Sequence, residues 1–112
     1  MAIRPGKRNF VIERRADWPI TLRFKDSELN PISLVGRTVK LQAWDKERTT
    51  KYADAAITYA DRVNGEVDSL VSRVDTASFP DEVFYDVLII DTDETHEYYL
   101  EGILYVSEGY TT

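Results

Sequence analysis

The chain has 112 residues, a net charge of −6, 43% hydrophobic and 30% charged residues, and no cysteine. The length points to one domain with room for an ordinary core, and the composition is that of a folded chain rather than a disordered one. The composition excludes a disulfide-stapled module or thiolate metal site, and the net charge disfavours neutralising a nucleic-acid backbone.

The longest apolar run, "VLII" at 87–90, is far too short to cross a bilayer. The opening "MAIRPGKRNF" lacks the apolar core of a signal peptide, so synthesis in the cytoplasm is expected. The charge is uneven. Residues 1–25 carry Arg4, Lys7, Arg8, Arg14, Arg15, Arg23 and Lys25 against Glu13 and Asp17, a net of +5, whereas 81–112 carry nine acidic groups and no Lys or Arg. Ends of opposite sign suit pairing of terminal strands within the chain or contact between neighbouring subunits.

In chain order, Pro5 and Gly6 keep the basic opening out of regular structure and predict an arm over 1–9. Phe10 and Ile12 point inward and alternate with Asn9, Val11 and Glu13 in a short strand over 8–13. Trp18, Ile20, Leu22 and Phe24 share one face of a second strand, with Pro19 at its start or on a sheet edge, because proline cannot donate to a ladder. "KDSELNP" at 25–31 is turn chemistry, and Gly36 precedes a third strand at 38–44 with Val39, Leu41 and Ala43 inward. Residues 45–54 are charged and unpatterned, a connection with room for a brief edge strand.

Strands at 55–60 and 66–71 flank Asn64-Gly65, a hairpin pair that tolerates positive φ. Residues 74–82 predict one helical turn with Asp75 as N-cap, stopped by Pro80. The strand at 83–91 is apolar on both faces in its second half and should be central. A polar turn at 91–96 leads to the last strand at 97–109, with Leu100, Gly102, Leu104 and Val106 on one face and Tyr99, Ile103 and Tyr105 on the other. The pattern predicts an all-β fold: an immunoglobulin-like antiparallel β-sandwich of about seven strands over 10–112.

Catalytic constellations are hard to assemble from these residues. The single histidine, His96, sits in a polar turn, and no serine lies in a G-x-S-x-G elbow. Asp86, Asp91, Asp93, Glu94, Glu97 and Glu101 are numerous enough for a paired-carboxylate mechanism, yet they fall where a hairpin solvates its charges. An EF-hand loop begun at Asp91 would place His96 at the glycine position and Gly102 at the glutamate position, so that motif fails. A looser metal site at Asp91, Asp93 and Glu94 stays open. No phosphate-loop or dinucleotide glycine pattern is present. The expectation is a protein without catalytic residues or cofactor. Its partner-binding candidates are the basic Arg4, Lys7 and Arg8 and the aromatic Trp44, Tyr52 and Tyr110.

The order of features resembles a family of small immunoglobulin-like proteins and domains of tailed bacteriophages, whose best-known relative is the N-terminal domain of baseplate upper proteins. The resemblance rests on Arg15 and Asp17 before the first long strand, on Asp26, Asn30, Pro31 and Ile32 in the turn, and on Leu34 and Gly36. It continues through Thr76, Phe79 and Pro80, then Tyr85, Asp86 and Asp91, then Leu100, Gly102 and Val106, spanning about residues 10–111. It departs at Asn30, where a glycine often sits. The chain is also read as ending with the domain, so the receptor-binding-protein scaffold of longer relatives is not expected here. The resemblance implies a non-enzymatic virion structural protein, an adaptor or connector of the tail, baseplate or fibre-attachment region. Its partners would be other phage structural proteins in a symmetric assembly or homo-oligomer, with no nucleic acid or membrane. The alternatives are a capsid decoration protein and a carbohydrate- or receptor-binding module in which Trp44 and tyrosines stack on sugars.

Overall fold

A computed structural model describes residues 6–26 and 28–108. Two sheets face one another across an apolar core. The larger contains β1 (Gly6–Lys7), β2 (Phe10–Glu13), β4 (Thr38–Trp44), β5 (Lys51–Asp54), β8 (Glu82–Ile90) and β9 (His96–Ser107), in the order β1-β9-β8-β4-β5, with β2 also on β9. The smaller contains β3 (Trp18–Arg23), β6 (Ala56–Asp61) and β7 (Glu66–Val71), in the order β3-β7-β6. Successive segments of the chain alternate between the sheets, so each sheet is built from strands distant in sequence, the arrangement of a β-sandwich.

The expected all-β sandwich is present, with nine strands among the described residues and one parallel edge. β1 and β2 run parallel to β9 with one continuous register, Gly6 opposite Leu100 and Phe10 opposite Leu104. Residues 6–9, expected to form an arm, therefore belong to the large sheet. At the break between β1 and β2 the Arg8 carbonyl turns in toward Gly102 and accepts the Tyr85 hydroxyl at 2.5 Å. The Asn9 side chain takes over the acceptor role, receiving the Ile103 N–H at 2.9 Å. These two long-range contacts carry the chain across the break between β1 and β2. Expectations for residues 1–5, including Arg4, lie outside the described residues.

The uneven charge finds its use at this edge. Arg14 and Arg15, just past β2, both pair with Glu108, just past β9, and Arg14 also reaches Asp81 at 3.0 Å. Parallel pairing brings those sequence-distant segments side by side, and the arginines hold the Glu108 carboxyl below its ordinary range.

The core follows the alternation read from sequence. Trp18, Leu22 and Phe24 from the small-sheet side meet Val39, Leu41, Val83, Tyr85, Val87 and Leu104 from the large sheet. Phe10, Trp18 and Tyr85 form an aromatic triangle with centroids 5.4–5.8 Å apart. Pro19 lies on edge strand β3, and β8 is central between β9 and β4.

Three local readings change. The helical turn α1 (Arg73–Thr76) is capped by Ser72, whose Oγ accepts the Asp75 N–H at 3.4 Å, so Asp75 lies inside the turn. In the β6–β7 hairpin, Gly65 alone takes positive φ, and a Cβ there would strike the Ile32 carbonyl. In β9 a bulge falls at Tyr99, between the pairs Val87–Leu100 and Leu88–Tyr98. The extra residue turns Tyr99 inward onto Phe24, at 4.6 Å between centroids, beside Leu100 rather than opposite to it. The connection at 45–54 does contain a brief edge strand, β5, and Ala55 passes the chain from the large sheet to β6 of the small one.

Candidate functional site

The outward face of the six-stranded sheet is the most chemically furnished surface of the molecule. Its composition follows from register. One row across β2, β9, β8, β4 and β5 carries Asn9, Ile103, Phe84, Trp44 and Lys51. The adjacent row carries Lys7, Glu101, Asp86, Gln42 and Asp54. Beyond the bulge, Tyr98, Leu88 and Lys40 form a third row, and His96, Ile90 and Thr38 a fourth. At the opposite end Val11, 75% exposed, neighbours Tyr105, 39% exposed. Apolar and aromatic rows thus flank a charged one.

At the centre lies Asp86, only 8% exposed although it points out of the sheet. The cover comes from the β4–β5 turn. Asp45 closes that turn by accepting the backbone N–H of Thr49 at 2.7 Å and of Thr50 at 3.1 Å, and its other oxygen accepts the Thr49 hydroxyl at 2.6 Å. These bonds, led by the Thr49 hydroxyl, hold the Asp45 carboxyl below its ordinary range. Arg48 adopts a left-handed φ of 59° and lays its guanidinium over Asp86, forming a salt bridge, with the Tyr98 ring centroid at 5.9 Å. Burial pushes the Asp86 carboxyl above the ordinary value, Arg48 draws it back, and neighbouring Glu101 adds to the rise.

The Arg48–Asp86 bridge divides the face into two grooves. One, about 380 Å³, is lined by Lys7, Asn9, Trp44, Phe84, Glu101 and Ile103 among others. The other is lined by Lys40, Trp44, Leu88, Ile90, His96 and Tyr98. Trp44 borders both. Its indole N–H donates to Gln42 Oε1 at 3.1 Å, Gln42 donates to Asp54 at 2.7 Å, and Asp54 pairs with Lys51 at 2.7 Å, which fixes the ring by a chain of polar contacts.

Of the partner-binding candidates, Lys7 and Trp44 meet on this face. Arg8 is exposed on the edge, its guanidinium 4.7 Å from the Phe10 centroid. Tyr52 is half-buried and packs on Phe79 with centroids 6.1 Å apart, away from the grooves. Arg4 and Tyr110 lie outside the described residues. The sequence reading missed Phe84, Ile103, Tyr98 and Arg48. The doubly apolar character of β8 was the available signal for Phe84, and nothing in the unpatterned 45–54 segment marked Arg48.

His96 is the exposed first residue of β9, opposite Ile90. In the acidic turn Asp91 accepts the Thr92 N–H at 2.7 Å and pairs with Arg37 at 3.4 Å, while Asp93 accepts the Thr95 N–H at 3.0 Å. No group of three or more metal-ligating side chains gathers among the described residues. No family model matches the sequence, and no curated protein matches it.

Proposed function

We propose that the chain is a non-enzymatic virion structural protein of a tailed bacteriophage, an adaptor or connector of the tail, baseplate or fibre-attachment region. The observation that carries the reading is the outer face of the large sheet. Half-buried Trp44, Phe84 and Ile103 and the partly exposed Tyr98 and Tyr105 stand on a rigid surface whose central charge, Asp86, is neutralised by Arg48 within the chain. Aromatic anchors with internally compensated charge suit a protein–protein contact. The sequence resemblance supplies the virion context, with assembly after synthesis in the host cytoplasm. Mass spectrometry of separated heads and tails tests the address. The chain is expected in the tail fraction; recovery only in heads would favour the capsid-decoration role, and absence from both would remove the virion reading.

A second reading has its own observation. In the groove that Lys7 borders, Trp44 and Phe84 lie beside Asn9, Asp86 and Glu101, an aromatic platform with hydrogen-bonding groups suited to a saccharide. Glycan-array binding that Trp44→Ala abolishes would support this reading over the first.

A further inference from the structure

The geometry points to a second copy of this chain as an occupant of the outer face of the large sheet, packed face to face about a two-fold axis running along β8. The inference rests on reading that face as a protein contact and names its partner.

The argument begins with symmetry. Two identical faces meet only if the axis lies in the contact plane, and a residue then opposes the mirror position across the axis strand. With the axis along β8, β9 of one copy lies over β4 of the other, and β1 and β2 lie over β5. The register then decides what meets. Phe84, Leu88 and Ile90 on β8 fall on the axis and oppose themselves. Ile103, one strand to one side, opposes Trp44 of the second copy. In the third row Tyr98 opposes Lys40, a cation over an aromatic ring. At the margins Lys7 opposes Asp54, which it would share with that copy's own Lys51, and one strand nearer the axis Glu101 opposes the neutral amide of Gln42. Asp86 also falls on the axis with Arg48 folded over it, so each copy presents a neutral ion pair there and the two Arg48 guanidiniums face one another above compensated carboxylates. Glu82 meets its copy at the exposed end of β8, where water screens the pair.

The dimensions agree. Five strand positions at ~4.8 Å and the nine residues of β8 at ~3.4 Å each give a face of about 700 Å². A standard stable interface buries about 800 Å² on each partner. Aligned packing of two such sheets is a common arrangement.

Sedimentation equilibrium of the full chain tests the inference. A dimer at micromolar concentration is expected. Tyr98→Lys, at a position already 41% exposed, should weaken it by at least about tenfold with unchanged circular dichroism and melting. Leu70→Lys on the small sheet should leave it intact. Lys7→Glu and Asp54→Lys should each weaken the dimer, and the double exchange should restore it, because the two oppose one another across the axis. Phe84→Lys should abolish it; if that variant fails to fold, Tyr98→Lys and the charge exchange decide. A monomeric wild-type chain overturns the inference, as does a dimer indifferent to Tyr98→Lys or broken by Leu70→Lys. A monomer recovered from purified tails would sink this inference and leave the proposed function standing; a dimer absent from virions would do the reverse.

Discussion

The two outer faces of the sandwich are built from the same strand periodicity and come out chemically different. On the small sheet the outward positions are Pro19, Leu70 and Ala56 in one row and Thr21, Asp68 and Thr58 in the next. Thr21 donates to Asp68 at 3.0 Å, and Arg23 meets Glu66 at 3.4 Å. These side chains bond to one another around an open groove beside Leu70, and no aromatic ring stands among them. On the large sheet the same alternation places Phe84, Trp44, Ile103 and Leu88 outward and then covers the one central carboxylate with Arg48. Most of the apolar area buried on folding lies on the inner faces, so the area that the half-buried outer aromatics still expose is what a contact could cover. The difference places the apolar core on the inner faces of both sheets and leaves the aromatic side chains of one outer face for the contact proposed above.

The comparison breaks most completely at Gly102. A Cβ at that position would overlap the Arg8 carbonyl oxygen and press on the Tyr85 ring. Gly102→Ala should therefore expel β1 from the sheet or force β9 away from it, at about 3 kcal/mol or more. Urea unfolding measures the loss, and hydrogen exchange should show the Arg8 and Ile103 amides opening first. An equal effect from an alanine at Gly6, where a Cβ would meet nothing nearer than 3.5 Å, would remove the argument from close backbone approach.

A smaller effect separates the recognition face from the core. Arg48→Ala leaves Asp86 buried without its cation. A fully buried broken pair costs about 3–5 kcal/mol. The Arg48 side chain is 58% exposed, so about 1–2 kcal/mol is expected at neutral pH. The pH dependence follows from the raised Asp86 value. The folded state holds that proton more tightly than the unfolded chain, so the contribution of Asp86 is favourable at low pH and is lost as pH rises above the ordinary 3.8. Relative to Asp86→Asn, the wild type should thus lose stability as pH increases through that window. The lowered carboxyls of Asp45, Asp54, Asp61, Asp93 and Glu108 act in the opposite direction, losing stability as pH falls, but they are present in both proteins and cancel in the difference. A flat difference across the window would mean that Asp86 is hydrated rather than covered.

Sequence periodicity made the inner faces legible and left the outer face mostly dark. Trp18, Leu22, Val39, Leu41 and Leu104 were placed correctly because a buried face writes itself as an apolar residue at every second position. Residues 6–9 were misread because an opening with Pro5 and Gly6 signals irregular chain, while the groups that dock it, the Ile103 N–H on the Asn9 side chain and the Tyr85 hydroxyl on the Arg8 carbonyl, come from strands 94 and 77 residues away. Tyr99 was misplaced because a single bulge reverses the alternation beyond it and leaves no mark in the pattern. The site was half-read: Trp44 and Lys7 were named, whereas Arg48 and Phe84 depend on which strand lies beside which. That adjacency comes from long-range pairing, which period-two reasoning does not supply.

The finest test concerns a polar atom on the wrong side of this division. Ser69 faces inward from β7, 3% exposed, and its hydroxyl has no hydrogen-bond partner among the described residues. Its neighbours across the strands are Ile20 and Ile57, both packed against the core. Burying an unpaired hydroxyl costs free energy that an apolar group of similar size does not. If the inner faces serve stability alone, Ser69→Ala should be neutral or stabilising by up to about 1 kcal/mol, read as a higher urea midpoint at unchanged slope. It should leave self-association untouched, since the residue lies in the opposite sheet. A loss of stability would show that the hydroxyl has a partner in solution, a bound water for instance, and that the small sheet's interior is not the purely apolar layer that the contrast between the two faces requires.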